Sequence, residues 1–346
     1  MNGYIYLKNV VIRDIGIGLY CKFMKAKKLI SFYSKISLIR QMELKISEKY
    51  SENKMRCPVH LSIGQESCAV GICENLKKTD SLYSTHRSHA HYMAKGGSLK
   101  KMLAEMYGKK NGCCKGRGGS MHLFDDSVGM KSSIPIVGSS IAIAAGNALA
   151  LKLKNKNNKN IAVVIFGDGA IEEGIFYETL NFSIIKKLPI LFVCENNLYS
   201  IMTHINERQP KNFIKNINKL YEVPFAECNG NKIDEVYLKS QNLIKNIRNK
   251  KGPGFLLLNT YRHKEHCGPG NDLHLGYRSE IEFKNWVKQD PLQYCKKLIS
   301  KSVNDYEKLI SRIDTKNKKL CMNAFKFAEN SPLPSSTNIK DKVYSQ

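Results

Sequence analysis

The stretch NIAVVIFGDGAIEEGIFYETLNF, Asn160 to Phe182, reads as an apolar strand that runs through a glycine turn into a helix from Ala170. A turn of this kind ordinarily cradles a phosphate, because bare amides and the positive end of the helix dipole attract the anion. Here it carries Asp168 between Gly167 and Gly169. A carboxylate about 4 Å from a phosphate oxygen is repelled by roughly 4 kcal/mol at an effective dielectric near 20. The repulsion becomes attraction when a divalent cation lies between them, and Mg²⁺ commonly binds through one or two protein oxygens plus phosphates. A second oxygen is then expected from a neighbouring strand end. The next strand, PILFVCENNLYS, places Asn197 29 residues after Asp168, about one helix plus one strand, and offers the Tyr199 carbonyl as a third ligand. Taken alone, Gly-Asp-Gly is more often an ordinary turn.

Histidines and arginines stand in three other segments. STHRSHAHYMAKG gathers His86, Arg87, His89 and His91, HLSIGQE holds His60, and TYRHKEHCGPG holds His266. Arg87 suits an anion because a guanidinium gives planar, charge-assisted hydrogen bonds. For any of these histidines the plainer role is a structural hydrogen bond, and this stands level with a functional one at His60 and His89. Glu172 and Glu173 open a helix, where acids meet the dipole favourably, and are read as structural.

The elements that must position these groups alternate. A helix is expected over about Leu29 to Tyr50, a second from about Gln65, a short strand in DSLYS and a helix beyond the histidines. NGCCKGRGGSMHLFD, Asn111 to Asp125, is a long glycine-rich loop. Then follow a small-residue helix (Ile141 to Lys154), strands at Ile161 to Phe166, Pro189 to Cys194 and Gly254 to Thr260, a strand, turn and helix in EVPFAECNGNKIDEVYLKSQNLIKNIRN, and helical sequence up to about Asn330. Uniformly apolar strands separated by helices imply a parallel sheet covered on both faces, with ligands beyond the carboxyl ends of its strands.

The chain's 346 residues suffice for one large α/β domain with extensions. Its 42% hydrophobic content is ordinary for a soluble protein, and no apolar run approaches the ~20 residues of a membrane helix. The net charge of +25 comes from scattered lysines, as in Lys152 to Lys159, rather than from arginines and aromatics interleaved on one face, so dedicated nucleic-acid binding is excluded. Eleven cysteines without repeated metal spacing point to a reducing compartment and no disulfide framework. Those from Cys57 to Cys114 are read as small buried or surface residues. Residues 1–27 form a basic arm without a convincing signal-peptide cleavage region, 28–330 the main domain and 331–346 a polar tail.

The Gly-Asp-Gly turn followed by Asn-Asn, together with HLSIGQE, STHRSHAHYMAKG, KGRGGSMHLF and TYRHKEH in order, resembles the alpha subunit of the dehydrogenase (decarboxylating) component of 2-oxo acid dehydrogenase complexes, the pyruvate, branched-chain and acetoin group. The resemblance covers about Leu29 to Leu292. It implies a thiamine-diphosphate-binding α/β fold, mostly parallel, with helical extensions at both ends. Asp168, Asn197 and the Tyr199 carbonyl would hold Mg²⁺ on the diphosphate, and Gly169 and Ala170 would supply amides. Arg87 would clamp the diphosphate, aided by His86 where this family often has tyrosine. The Pro135 carbonyl and Val137 amide would receive the aminopyrimidine edge, with Ile136 helping to bend the cofactor. His266, also a cofactor-binding residue, would stabilise or protonate intermediates near the diphosphate and substrate, with His60 and His89 lining the channel. Cys267 takes the position of the regulatory serine of mitochondrial relatives, which rules out phosphorylation there.

The same resemblance implies half an enzyme. The glutamate that protonates the aminopyrimidine belongs to a separate beta chain in this family, so a heterotetramer of two alpha and two beta chains is expected. A 2-oxo acid, pyruvate by default, would pass its acyl group to a lipoyl acyltransferase, in the cytoplasm. CGPGNDLHLGYRSE departs from the family's usual serine-containing loop and leaves substrate and acceptor open. Two other readings stand beside this one: a non-oxidative, transketolase-like or acetoin-type thiamine enzyme, and a non-catalytic assembly subunit.

Overall fold

The computed structural model describes residues 24, 26–154 and 159–335, together with the backbone pairing of Tyr6–Leu7 and Val10–Val11. Most of the arm 1–27, residues 155–158 of the lysine-rich stretch and the tail from 336 lie outside the described residues.

Six strands form the central sheet: β1 (Ser81–Ser84), β2 (Met130–Ser133), β3 (Ala162–Gly167), β4 (Ile190–Asn196), β5 (Phe225–Asn229) and β6 (Gly254–Asn259). Their spatial order is β2-β1-β3-β4-β6-β5 and every pairing is parallel. Successive side chains on the inner strands face opposite sides and both sides are dry. Val163 and Ile165 of β3 join one buried cluster, with Leu191, Val193, Leu256 and Leu258. Val164 and Phe166 join the other, with Phe192, Cys194, Phe255 and Leu257. Two-sided burial is what the unbroken apolar runs of these strands require.

Helices cover both faces. On the first lie α1 (Ala26–Lys49), α2 (Glu66–Cys73), α3 (His89–Lys95) and α4 (Leu99–Met106). The second carries α5 (Ser139–Lys154), α6 (Gly174–Ile185) and α7 (Phe213–Tyr221). Helix α8 (Ile233–Arg248) packs on the first face, and α9 (Glu280–Val287), α10 (Pro291–Ser300) and α11 (Tyr306–Asn330) close the chain. Among the described residues no helix is long and apolar enough to cross a membrane.

Two elements differ from the sequence expectation. The segment after β3 does not enter a helix at Ala170; Asp168–Glu172 is a 3-10 turn, and α6 begins at Gly174 with Glu173 as its extended N-cap. Strand β2, Met-Lys-Ser-Ser, has no apolar run to announce it, because it lies on the sheet edge and is only half buried.

Because all six strands run the same way, the residues after β1, β2, β3, β4 and β6 emerge along one edge. His86 and Arg87 follow β1, Pro135 to Val137 follow β2, Asp168 follows β3, Asn197 follows β4, and His266 lies on the loop after β6.

Candidate active site

That edge encloses a cavity of about 330 Å³. Its walls include His60, His86, Arg87, Pro135, Val137, Asp168, Gly169, Ala170, Asn197, Tyr199 and His266. The fold therefore brings together every sequence-derived site residue except His89. That side chain is fully buried on α3, its Nδ1 at 3.1 Å from Glu43 Oε1 on α1 and its Nε2 at 2.7 Å from Ser120 Oγ. Both ring nitrogens are spent on holding α1 and the glycine-rich loop against α3, so His89 is structural and the expected channel role is corrected.

Asp168 begins the 3-10 turn and is 1% exposed. Arg208 forks between it and Glu172, and Gln209 Nε2 donates to the Asp168 carbonyl at 3.1 Å and to Glu172 Oε1 at 2.7 Å. Burial pushes the Asp168 carboxyl above the usual carboxylate range, and the Arg208 guanidinium opposes that rise. Asn197 Oδ1 accepts the Tyr199 amide at 3.1 Å, a side-chain turn that fixes the backbone where Tyr199 enters its hairpin with His204. At Gly169 a Cβ would lie 2.8 Å from Ser200 Oγ, so a side chain there would have to displace Ser200.

The cationic wall is equally fixed. Arg87, 5% exposed, donates from Nη1 to the Leu61 carbonyl at 2.6 Å and from Nη2 to the His266 carbonyl at 3.0 Å. The Gly268 amide donates to the Val59 carbonyl at 2.8 Å. Gly64 explains the glycine of HLSIGQE, since at φ +98° a Cβ would meet the Tyr261 carbonyl at 2.5 Å. His60, His86 and His266 thus face one another, with ring centroids 4.6 to 5.3 Å apart. Burial, then the Arg87 charge, pushes His60 down to about 2, His86 to about 3 and His266 to about 4.

All three rings are therefore neutral in the fold at pH values where an unfolded histidine, titrating near 6.5, is protonated. The unfolded state binds more protons in that interval, so stability falls as pH is lowered from about 6.5 towards 4. Chemical denaturation at pH 7 and pH 5 is expected to give a lower midpoint at pH 5, with the difference reduced in a His60→Asn variant; equal midpoints would contradict it.

The glycine-rich loop wraps a buried carboxylate. Glu105 accepts the amides of Cys114 (2.7 Å), Gly116 (2.9 Å), Gly118 (2.6 Å) and Gly119 (3.3 Å). The loop's Met121 reaches the cavity. Saturated in this way, Glu105 is not free to join Cys113 and Cys114 as a metal ligand. The cysteines of the described residues are all free thiols.

Sequence reasoning missed several cavity groups. Gln65 and Glu195 line the cavity, and Glu195 is held by His91 Nε2 at 3.0 Å, whose Nδ1 meets Ser84 Oγ at 2.8 Å. Both lie inside motifs already singled out, next to residues that drew attention. Arg208, the last residue of a single helical turn, and Gln209, its C-cap, stand 40 and 41 residues from Asp168, and no local pattern links them to it.

The donor set fits a large polar cofactor with an anionic end. Gln65 Oε1 and His60 Nδ1 are buried in the cavity wall without a hydrogen-bond partner. Unpaired buried polar atoms cost about 1–3 kcal/mol each unless a ligand satisfies them. Fold and cavity together define an α/β protein with a polar ligand cavity at one edge of a parallel sheet.

The sequence profile of the family described as "Dehydrogenase E1 component" matches residues 34–337. The alpha subunit of acetoin:2,6-dichlorophenolindophenol oxidoreductase from Bacillus subtilis (strain 168) is 35% identical over 92% of this chain and 94% of its own length. The pyruvate dehydrogenase E1 component alpha subunit of Rickettsia bellii is 32% identical over 96% of this chain and 99% of its own. The testis-specific mitochondrial counterpart from Rattus norvegicus is 33% identical over 92% of this chain and 80% of its own. The chain belongs to the dehydrogenase E1 component family, as the alpha type of subunit of a thiamine-diphosphate-dependent 2-oxo acid dehydrogenase.

Proposed function

We propose that this chain binds thiamine diphosphate and Mg²⁺ at the described edge and, joined to a beta chain, decarboxylates a 2-oxo acid, pyruvate by default, for transfer of the acyl group to a lipoyl acyltransferase. The observation that carries the reading is the convergence of Asp168, Asn197 and Tyr199 opposite Arg87 and three neutral histidines in one cavity. When bound, thiamine diphosphate supplies the electron sink for the loss of CO₂.

In this reading the Asp168 carboxylate, the Asn197 amide oxygen and the Tyr199 carbonyl provide the hard oxygen donors that Mg²⁺ prefers. Arg208 keeps Asp168 partnered until the cation arrives. Arg87 binds the diphosphate, with the amides of Gly169 and Ala170 beside it. The Pro135 carbonyl and Val137 amide orient the aminopyrimidine edge. His266 and His60, both neutral, hold or donate a proton beside the substrate carbonyl.

Two chains of this kind and two beta chains form the assembly. Ile136 and Val137, 71% and 48% exposed at the cavity rim, support a covering partner there. We place the enzyme in the cytoplasm, where its free thiols stay reduced. Residues 28–330 form its catalytic domain.

The likeness to the B. subtilis acetoin subunit favours a second reading, in which acetoin is the substrate. Co-expression with a beta chain, followed by assays of CO₂ release from 2-oxo acids and of acetoin-dependent dye reduction, separates the two. Release of CO₂ from pyruvate is the expected result; dye reduction with acetoin alone would replace the first reading by the second.

A further inference from the structure

His60, His86 and His266 each offer a ring nitrogen, and these three atoms all lie within 4.8 Å of one another. Among the described residues none of these rings makes a hydrogen bond to protein, and His60 Nδ1 is buried without any partner. Three imidazoles converging with free nitrogens are the donor set of an open transition-metal centre.

We propose that this trio is a binding site for a Zn²⁺-class transition-metal ion, and that an ion held there excludes the cofactor diphosphate.

Geometry comes first. A metal with Zn–N bonds of about 2.0–2.1 Å in tetrahedral arrangement needs its nitrogens about 3.3 Å apart. From separations of at most 4.8 Å, each pair has to close by no more than roughly 1.5 Å, within reach of side-chain rotation. The backbones that carry the rings are already tied together. Arg87 ties Leu61, beside His60, to the His266 carbonyl, and the bridge between His60 and Gly268 pins the same two segments. His86 is next to Arg87 in the chain and is held by the same staple.

Ligand chemistry then separates two metals in one cavity. Asp168, Asn197 and the Tyr199 carbonyl are hard oxygen donors, suited to Mg²⁺. Imidazole nitrogen suits Zn²⁺, Co²⁺, Cu²⁺ or Ni²⁺ and is a poor choice for Mg²⁺. Three protein ligands leave a fourth position for water. Arg87 is the unfavourable neighbour, but its guanidinium is turned to two carbonyls, and the Glu195 carboxylate shares the cavity.

The competition half of the proposal rests on the proposed cofactor site; the metal half does not. An ion with its water on the trio takes His86 away from the diphosphate and fills part of the cavity of about 330 Å³ that the cofactor needs, so zinc-loaded protein should bind thiamine diphosphate weakly even with Mg²⁺ in excess.

The test uses the full chain assembled with its beta chain and stripped of metal with a chelator. Titration with CoCl₂, read by the visible absorption of tetrahedral Co²⁺, and with ZnCl₂ by calorimetry, should give one site per alpha chain. His86→Tyr, which keeps a hydroxyl donor, and His60→Asn should each weaken metal binding by at least about tenfold, with circular dichroism confirming that both fold. Zinc should then raise the apparent Kd for thiamine diphosphate in the unsubstituted protein and have a smaller effect in His86→Tyr. Equal metal binding by all three proteins, or no binding, overturns the site. Thiamine diphosphate binding that is unaffected by zinc overturns the competition. Failure of the unsubstituted protein to bind thiamine diphosphate without zinc would count against the cofactor reading instead.

Discussion

Asp272→Asn is expected to cost about 3–5 kcal/mol of folding stability, the usual penalty for leaving buried charge without its partner. Asp272 is 2% exposed and, among the described residues, is the one carboxylate paired with both buried guanidiniums, Arg262 and Arg278. Arg262 Nη1 donates to it at 2.9 Å and Arg278 Nε at 2.8 Å, and the Tyr277 hydroxyl donates as well. Burial pushes this carboxyl up, but the hydrogen bonds from Tyr277 and Arg262 and the Arg278 charge hold it below its ordinary value. The two arginines in turn bind the carbonyls of Ile201, Arg262 and Lys264. The network therefore sets the course of the loop that carries His266. The nearly isosteric asparagine removes the charge without opening a cavity. Urea denaturation should show the lost stability, and hydrogen exchange should show residues 264–276 losing protection first. A loss below about 1 kcal/mol would contradict the role given to Asp272.

Asp168→Asn is expected to weaken thiamine diphosphate binding at saturating Mg²⁺ by at least about a hundredfold, or roughly 2.8 kcal/mol. The substitution takes away the only charged oxygen in the proposed metal set, and Mg²⁺ then loses its main compensation for dehydration. Arg208 retains Glu172, so the fold around the turn should survive. Equal circular dichroism and a large change in Kd would locate the effect at the metal. A Kd within threefold of the unsubstituted protein would remove Asp168 from the metal set.

What the sequence made legible follows from burial. Strands β3, β4 and β6 are covered on both faces, so their apolar runs stand out, and parallel pairing then puts Asp168 and Asn197 on one edge. Strand β2 is half buried at an edge and carries Lys131 and two serines, so nothing in its composition separates it from a loop. The expected helix at Ala170 gives way to a 3-10 turn, from which Asp168 meets Arg208 and Gln209, partners that no local pattern announces. His89 shares its motif with His86 and Arg87 but not their direction. Helix α3 begins at His89 and turns the ring to Glu43 on α1, a partner 46 residues away. Contacts over such separations, like those of Arg208, leave no mark on local pattern.

The most direct test is calorimetric titration of thiamine diphosphate into the chain assembled with its beta chain, once with Mg²⁺ and once with the metal chelated. The expected result is one site per alpha chain, strongly dependent on the metal. No binding by a demonstrably assembled pair would contradict the cofactor assignment, and the proposed decarboxylation with it.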